Sequence, residues 1–372
     1  MFTQNSSGLN VVRGRVQALD AVRAIALLLM VIGHVANYSF LWRTSHFPYY
    51  VWDGASIFMV VSGIVVAQVN RVRIETSGFP AAAGRLARRA GFLYVVQVIL
   101  VAFATATAYF RPSPTSAEFL IPGLPSWQEA VLWDIVLSAN PIYVNFLSSY
   151  VVILLAAIPA LWLLSTRRYG LLAILAGVLY VAGLVWPQIF TLPNGPDGYA
   201  GFDNATWFVL FVSGLIVGWC WHERNLDSTL LSPKVVWSAV GLALAFLLFV
   251  IWDALPPEPG PFVDWFTDKD LMAPGRFVAA WAFFIPLYWL MRRLPSRRIG
   301  ARIVAWCATL GKYPVDTIVI LTLVTIVSHG LLGVESPSRI AQALAVITIV
   351  LAWLWARWRE RGSSPRSSSV RA

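Results

Sequence analysis

The sequence predicts an all-α fold, a polytopic membrane protein with about ten transmembrane helices and both termini cytoplasmic. Three observations carry this expectation. Of 372 residues, 58% are hydrophobic and 12% charged, with a mean hydropathy of +0.68, whereas a soluble domain carries about 25% charged residues. The apolar residues gather into ten runs long enough to cross a bilayer. The basic residues alternate between connections: with the N-terminus inside, 21 of the 28 Lys and Arg fall in cytoplasmic segments and five in outer ones. That bias orients spans, and an odd span count would destroy it.

In order, the runs are 18–40, 52–70, 88–110, 144–165, 169–187, 205–222, 235–252, 275–292, 309–331 and 339–357. The first is itself long enough to span, so it reads as a retained helix and not as a cleaved signal. Eighteen Trp and 12 Tyr suit interfacial belts. The formal charge of +10 does not point to nucleic acid, because the basic residues sit in short connections where they set topology. Cys220 and Cys307 both lie in apolar runs and read as packing residues, not as a disulfide.

The outer connections 111–143, 188–204 and 253–274 are rich in Pro and Gly, and the last carries Asp253, Glu258, Asp264, Asp268 and Asp270. Such loops are expected to shape an external cleft. Residues 1–360 read as a single integral membrane domain, and 361–372 as a disordered basic cytoplasmic tail. No internal repeat is evident, which counts against a transporter built from inverted halves.

Four groups of residues bear on chemistry. The first span carries Asp20, Arg23 and His34. Ionisable groups inside a bilayer are costly and mark function by default. Arg23 and His34 are 11 residues apart, about three helical turns, so they share a face and lie ~16 Å apart along the axis. Asp20 and Arg23 also fit a helix-end anchor, since Arg near a span end can snorkel. His34, in the outer part of the span, is placed to act as a general base. The second span opens on Asp53-Gly-Ala-Ser56. There Asp53 is expected to cap the helix and, at the level of His34, to orient the imidazole as a carboxylate partner. Ser56 is a candidate for the same cavity, and Ser62-Gly63 suits close helix packing. In the ninth span Lys312 and Asp316 are four residues apart beside Pro314, as an intramembrane ion pair or as cavity lining. The inner arginines Arg85, Arg88, Arg89, Arg167 and Arg168 are topology signals that could also hold a phosphate-bearing cytosolic donor. His46, His222 and His329 are expected at interfaces. Four scattered histidines give no metal-ligand spacing, and no metal is expected.

These residues resemble a known family. R-x10-H at Arg23 and His34 is similar to the hallmark of the acyltransferase-3 superfamily of membrane acyltransferases. DGASIFMVVSG (53–63), NPIYVNFLSSYVVILLAAIPALWLL (140–164), NATWFVLFVSGLIVGW (204–219) and LGKYPVD (310–316) bring it closer to the OpgC branch, over roughly residues 17–330. The resemblance implies an acyl-CoA donor in the cytosol, succinyl-CoA or acetyl-CoA, and a glycan or polysaccharide acceptor outside. OpgC proteins add succinyl groups to periplasmic glucans. The chain departs from the pattern at Ala24 (usually Gly), at Ser56 (usually Glu) and at Lys312-Tyr313-Pro314 (usually an Arg-His-Ser-like run).

The resulting expectation is a multi-pass O-acyltransferase of the cell membrane. His34 would deprotonate the acceptor, Asp53 would orient it, and Arg23, set by Asp20, would face the donor. The competing reading is a transporter or flippase of a glycan or lipid-linked intermediate that uses the same charges as a relay.

Overall fold

The structure, a computed structural model, describes residues 16–45, 53–124, 126–253, 261–336 and 338–363. His46, Glu258 and the tail residues 364–372 lie outside them. It is an all-α polytopic membrane protein with one small β-hairpin among the described residues.

The described residues open with α1 (Gln17–Val35), an Ala/Leu/Ile run free of Pro, and α2 (Gly54–Ser77), whose N-cap Asp53 accepts a hydrogen bond from the Ser56 amide as expected. Gly78, at φ +80°, makes a one-residue turn into α3 (Phe79–Phe110), and Pro80 starts that helix. The inner connection 71–87 is therefore helix almost throughout, and its arginines sit on helical extensions beyond the apolar stretch. An outer excursion holds the short α4 (Trp127–Ile135). Then come α5 (Asn145–Ser165) and α6 (Tyr169–Val185).

In the connection read as plain loop, β1 (Thr191–Pro193) and β2 (Tyr199–Asp203) form an antiparallel hairpin pairing Thr191 with Asp203 and Pro193 with Tyr199. Its Asn194-Gly195 and Asp197-Gly198 pairs are turn chemistry, but strands this short give little alternation to read. Asp203 caps α7 (Asn204–Cys220) through the Thr206 amide, 2.7 Å. The chain continues through α8 (Pro233–Asp253), α9 (Pro261–Thr267), α10 (Pro274–Arg293) and α11 (Arg298–Gly311). After α11 the helix breaks at Lys312-Tyr313, because Pro314 disfavours helical backbone in the residue before it. It resumes as α12 (Pro314–Thr325), which a π-helical turn, Ile326–Leu331, extends. The ninth span therefore begins at Pro314 and not at 309. The last helix, α13 (Arg339–Ser363), runs three residues into the segment read as tail.

Eight of the described helices are long and apolar enough to cross a membrane, and α6 and α7 are shorter apolar helices of 17 residues each. The ten apolar runs thus each meet a helix. Backbone contact sets the packing of α2 on α7. A Cβ on Gly63 would stand 2.2 Å from the Phe211 carbonyl oxygen, and one on Gly214 2.3 Å from that of Val60, the small-residue approach expected at Ser62-Gly63. Helices α2, α10, α11, α12 and α13 enclose α1, so its polar residues meet protein on most sides. Cys220 and Cys307 are free thiols.

Candidate functional site

A cavity of about 540 Å³ opens at the C-terminal end of α1, the end read from the sequence as outer. His34 stands in its wall together with Asn37, Tyr38 and Trp42 from the segment after α1, Asp53 at the head of α2, and the corner 140–146 before α5. The hairpin contributes Asn194, Tyr199 and Phe202, and the α9–α10 segment Lys269, Asp270 and Arg276. Every outer connection expected to shape a cleft therefore reaches this space. The lining combines aromatic faces, side-chain amides and four charged groups around one imidazole.

The charged groups are tied to one another. Arg276 donates from Nη1 to Oδ2 of Asp53 at 2.9 Å and from Nε to the Thr267 carbonyl at 2.9 Å, with 7% and 14% of the Arg276 and Asp53 side chains exposed. Lys269 lies within electrostatic reach of Asp53, its ammonium 5.7 Å from the Phe202 ring. Burial raises the Asp270 carboxyl above its ordinary range, against the pull of Lys269 and Arg276. The loop that carries them is stitched to its neighbours. Trp207 Nε1 donates to the carbonyls of Lys269 and Asp270, at 3.1 and 3.2 Å, and the Asp203 amide donates to that of Asp270 at 2.9 Å.

This corrects one expectation. The partners of Asp53 are Ser56 and Arg276, so its carboxylate does not orient His34. Ser56 is buried and turns its hydroxyl back to Asp53, 3.2 Å from Oδ2. It completes the helix cap and does not face the cavity. What lies against the His34 imidazole is the Tyr143 ring, with centroids 5.2 Å apart.

The corner that presents Tyr143 is fixed on both flanks. The Asn140 backbone amide donates to Asn194 Oδ1 (2.8 Å), and its side chain donates from Nδ2 to the carbonyls of Leu137 and Pro193. Its Oδ1 accepts from the Ser148 hydroxyl of α5. Within this frame Tyr143 takes φ +68°, a left-handed conformation that costs a bulky residue about 1–3 kcal/mol and persists only where its surroundings over-determine it. Behind Tyr143, at 5.7 Å between ring centroids, lies His329 in the π-turn. His329 is 3% exposed, so it is a buried residue and not an interfacial one.

At the inner end of α1, Arg23 and Asp20 are 4% and 2% exposed. Arg23 donates from Nη2 to Asp20 Oδ1 at 2.6 Å and from Nε to the Gly311 carbonyl at 2.8 Å. That carbonyl is at the C-terminus of α11, where the helix dipole favours a cation. The two backbones touch here: a Cβ on Gly311 would stand 1.8 Å from the Asp20 carbonyl oxygen. Arg23 is thus a buried anchor within the protein.

Lys312 and Asp316 are corrected as well. Lys312 Nζ binds Glu360 at 2.6 Å, and Asp316 accepts from Arg359 at 2.6 Å and from Trp355 Nε1 at 3.0 Å. Both pairs cross to α13 and lie near the inner end, far from the outer cavity. Proline in the first turn of α12 ends the helical register that the i, i+4 spacing assumed.

Among the inner arginines, Arg85 and Arg88 are exposed on α3, and both lie within electrostatic reach of Arg73 on α2. Arg89 is half-buried beside them. Arg167, at φ +59°, and Arg168, over the Trp162 ring at 5.2 Å, are exposed at the α5–α6 turn.

Sequence reasoning missed Arg276, Lys269 and Tyr143 as companions of His34 in the cavity wall, and His329 behind Tyr143. Arg276 is 223 residues from Asp53, and no local spacing encodes such a pair. Tyr143 did stand in a stretch noted for its pattern, but a lone aromatic carries no mark of a left-handed backbone.

Among curated proteins, none matches the chain. A family profile described as OpgC protein matches residues 15–364, from the first turn of α1 to the end of α13 and across both ends of the site. The chain therefore belongs to the OpgC family of membrane transferases.

Proposed function

We propose that this protein is an acyltransferase of the acyltransferase-3 type, which moves an acyl group from cytosolic acyl-CoA to a hydroxyl of an extracytoplasmic glycan. The observation that carries the proposal is the outer cavity, where His34 faces aromatic rings, side-chain amides and paired carboxylates. Sugar rings present apolar faces and a rim of hydroxyls, and such a lining complements both. Membership of the OpgC family supports the transfer chemistry, and R-x10-H on α1 supports the wider superfamily.

In this reading the acceptor enters from outside, in the inner or plasma membrane of the cell, with both chain termini in the cytosol. Asp53, held by Arg276, and Asp270 beside Lys269 bind acceptor hydroxyls. His34 accepts the proton of the reacting hydroxyl, whose oxygen attacks the thioester carbonyl. The C–S bond breaks, and the CoA thiolate takes up the proton from the imidazolium. Arg85, Arg88 and Arg89, with Arg73, hold the donor phosphates on the inner side, and Arg167 and Arg168 extend that basic rim. Asp20 and Arg23 fix the α1–α11 junction beneath the donor's path. Residues 1–360 act as one domain.

The test is mass spectrometry of envelope glycans from a deletion strain complemented with wild type or His34→Ala. Acylation is expected to vanish in the deletion strain, return with wild type and stay absent with His34→Ala. Unchanged acylation in the deletion strain would overturn the function, and full acylation with His34→Ala would overturn the base.

A further inference from the structure

We infer that Tyr143, braced from behind by His329, is the positioning residue that holds the His34 imidazole for proton transfer. The inference rests on His34 being the base, and it assigns the role first expected of Asp53 to an aromatic pair that no sequence spacing announced.

Three elements converge here. Helix α1 carries His34 to the cavity wall. The corner 140–144 sets the Tyr143 ring against it at 5.2 Å, inclined by 53°. The π-turn sets His329 edge-to-face against the other side of Tyr143, at 5.7 Å and 83°, a geometry that aromatic rings favour. Tyr143 lines the cavity and is half-buried, whereas His329 is buried and outside the lining. His329 therefore cannot touch an acceptor. It supports the Tyr143 ring from the buried side.

Two features show that this arrangement is held in place. Tyr143 keeps a left-handed backbone, although ordinary backbone was open to a residue of its kind, and Asn140 fixes the corner to the hairpin and to α5. The π-turn inserts an extra residue into the end of α12, which rotates the following side chains by about 100° relative to a regular helix. Its carbonyl at His329 is held by the Thr115 hydroxyl at 2.7 Å. Gly330 lets it press on α3, where a Cβ would come within 2.6 Å of Thr107 Cγ2. Both devices fix the rings packed behind the imidazole, and the Tyr143 ring forms a wall against it.

The experiment uses the full chain in proteoliposomes with succinyl-CoA as donor and soluble glucan as acceptor, measuring kcat and the glucan KM for four variants. Misplacing a catalytic group by about 1 Å costs on the order of 100-fold. Tyr143→Leu is expected to lower kcat about 10- to 100-fold with KM within about twofold, and Tyr143→Phe, which keeps the ring, to restore kcat to within about twofold. Removal of the ring could collapse the strained corner, so His329→Leu probes the same support from the buried side, with an expected several-fold loss in kcat alone. Wild-type kcat in Tyr143→Leu, with His34→Ala inactive, would overturn this inference and leave the base intact. Equal loss in Tyr143→Phe and Tyr143→Leu would also overturn it, by assigning the role to the hydroxyl. An active His34→Ala enzyme would overturn the base itself and this inference with it.

Discussion

Removing Arg23 separates two roles that its position on α1 had merged. The side chain is buried, pairs with Asp20 at 2.6 Å and holds the Gly311 carbonyl at 2.8 Å. Arg23→Ala deletes both contacts and strips the guanidinium from a carboxylate that is 2% exposed. Removing one partner of a buried ion pair costs about 3–5 kcal/mol, most of it the uncompensated charge. For chains of a few hundred residues each kcal/mol moves Tm by about 2–4 °C, so a drop on the order of 10 °C is expected. The double variant Asp20→Asn/Arg23→Leu, which removes both charges, should recover most of that loss, because a buried pair and a packed apolar substitute are often close in energy. The assay is thermal unfolding in detergent, run beside acyl transfer in vesicles. A wild-type Tm in Arg23→Ala together with lost transfer would refute the anchor and return Arg23 to the donor.

Two further predictions concern groups away from the cavity. Asp134 on α4, outside the spans, is fully buried, and burial pushes its carboxyl up from 3.8 to about 7. The folded state therefore holds a proton that the unfolded state has lost between those values, so this group's contribution is most favourable below about pH 4 and fades as pH rises through 7. A shift of about three units amounts to ~4 kcal/mol above pH 7. Asp134→Asn should raise Tm over wild type at pH 8.5 and by much less at pH 5; equal gains at both would refute it. Lys312→Ala and Asp316→Asn break half-exposed pairs to α13, with 37% and 26% of the Lys312 and Glu360 side chains exposed. Each should cost less than about 1 kcal/mol and leave kcat within about twofold; a tenfold loss of transfer in either would restore them to the site.

The parts of this architecture legible in the sequence are those that local rules govern. Apolar runs gave the spans, Asp53 announced a helix cap, and Ser62-Gly63 announced close packing, because each depends on residues within a few turns. The polar pairings that hold the helices and the site join residues far apart in the chain. Asp53 finds Arg276, Arg23 finds Gly311, and Asp316 finds Arg359. Asp53 and Asp316 take distant partners in place of the expected His34 and Lys312, whereas Arg23 keeps Asp20 and adds the Gly311 carbonyl. Helix α11 was hidden for another reason. Its apolar face, from Gly300 through Val304 and Cys307 to Gly311, packs along α1, while its arginines made the stretch read as a cytoplasmic loop. His329 was placed at an interface from its position in the span, and the π-turn that buries it has no sequence signature.

The bond from Arg23 to Gly311 also has a temporal meaning. Its ends are 288 residues apart, and ribosomes add about 5–20 residues per second. Helix α1 therefore waits on the order of 15–60 s for the Gly311 carbonyl that its guanidinium binds. Asp20, three residues away, emerges with it and can neutralise the charge at once. The carboxylate is thus an escort during biogenesis, and α11 arrives late to lock the helix that carries the pair. Chains truncated before Arg298 should accordingly insert α1 yet leave it open to protease, and Asp20→Asn should impair insertion of that truncated chain more than Arg23→Leu.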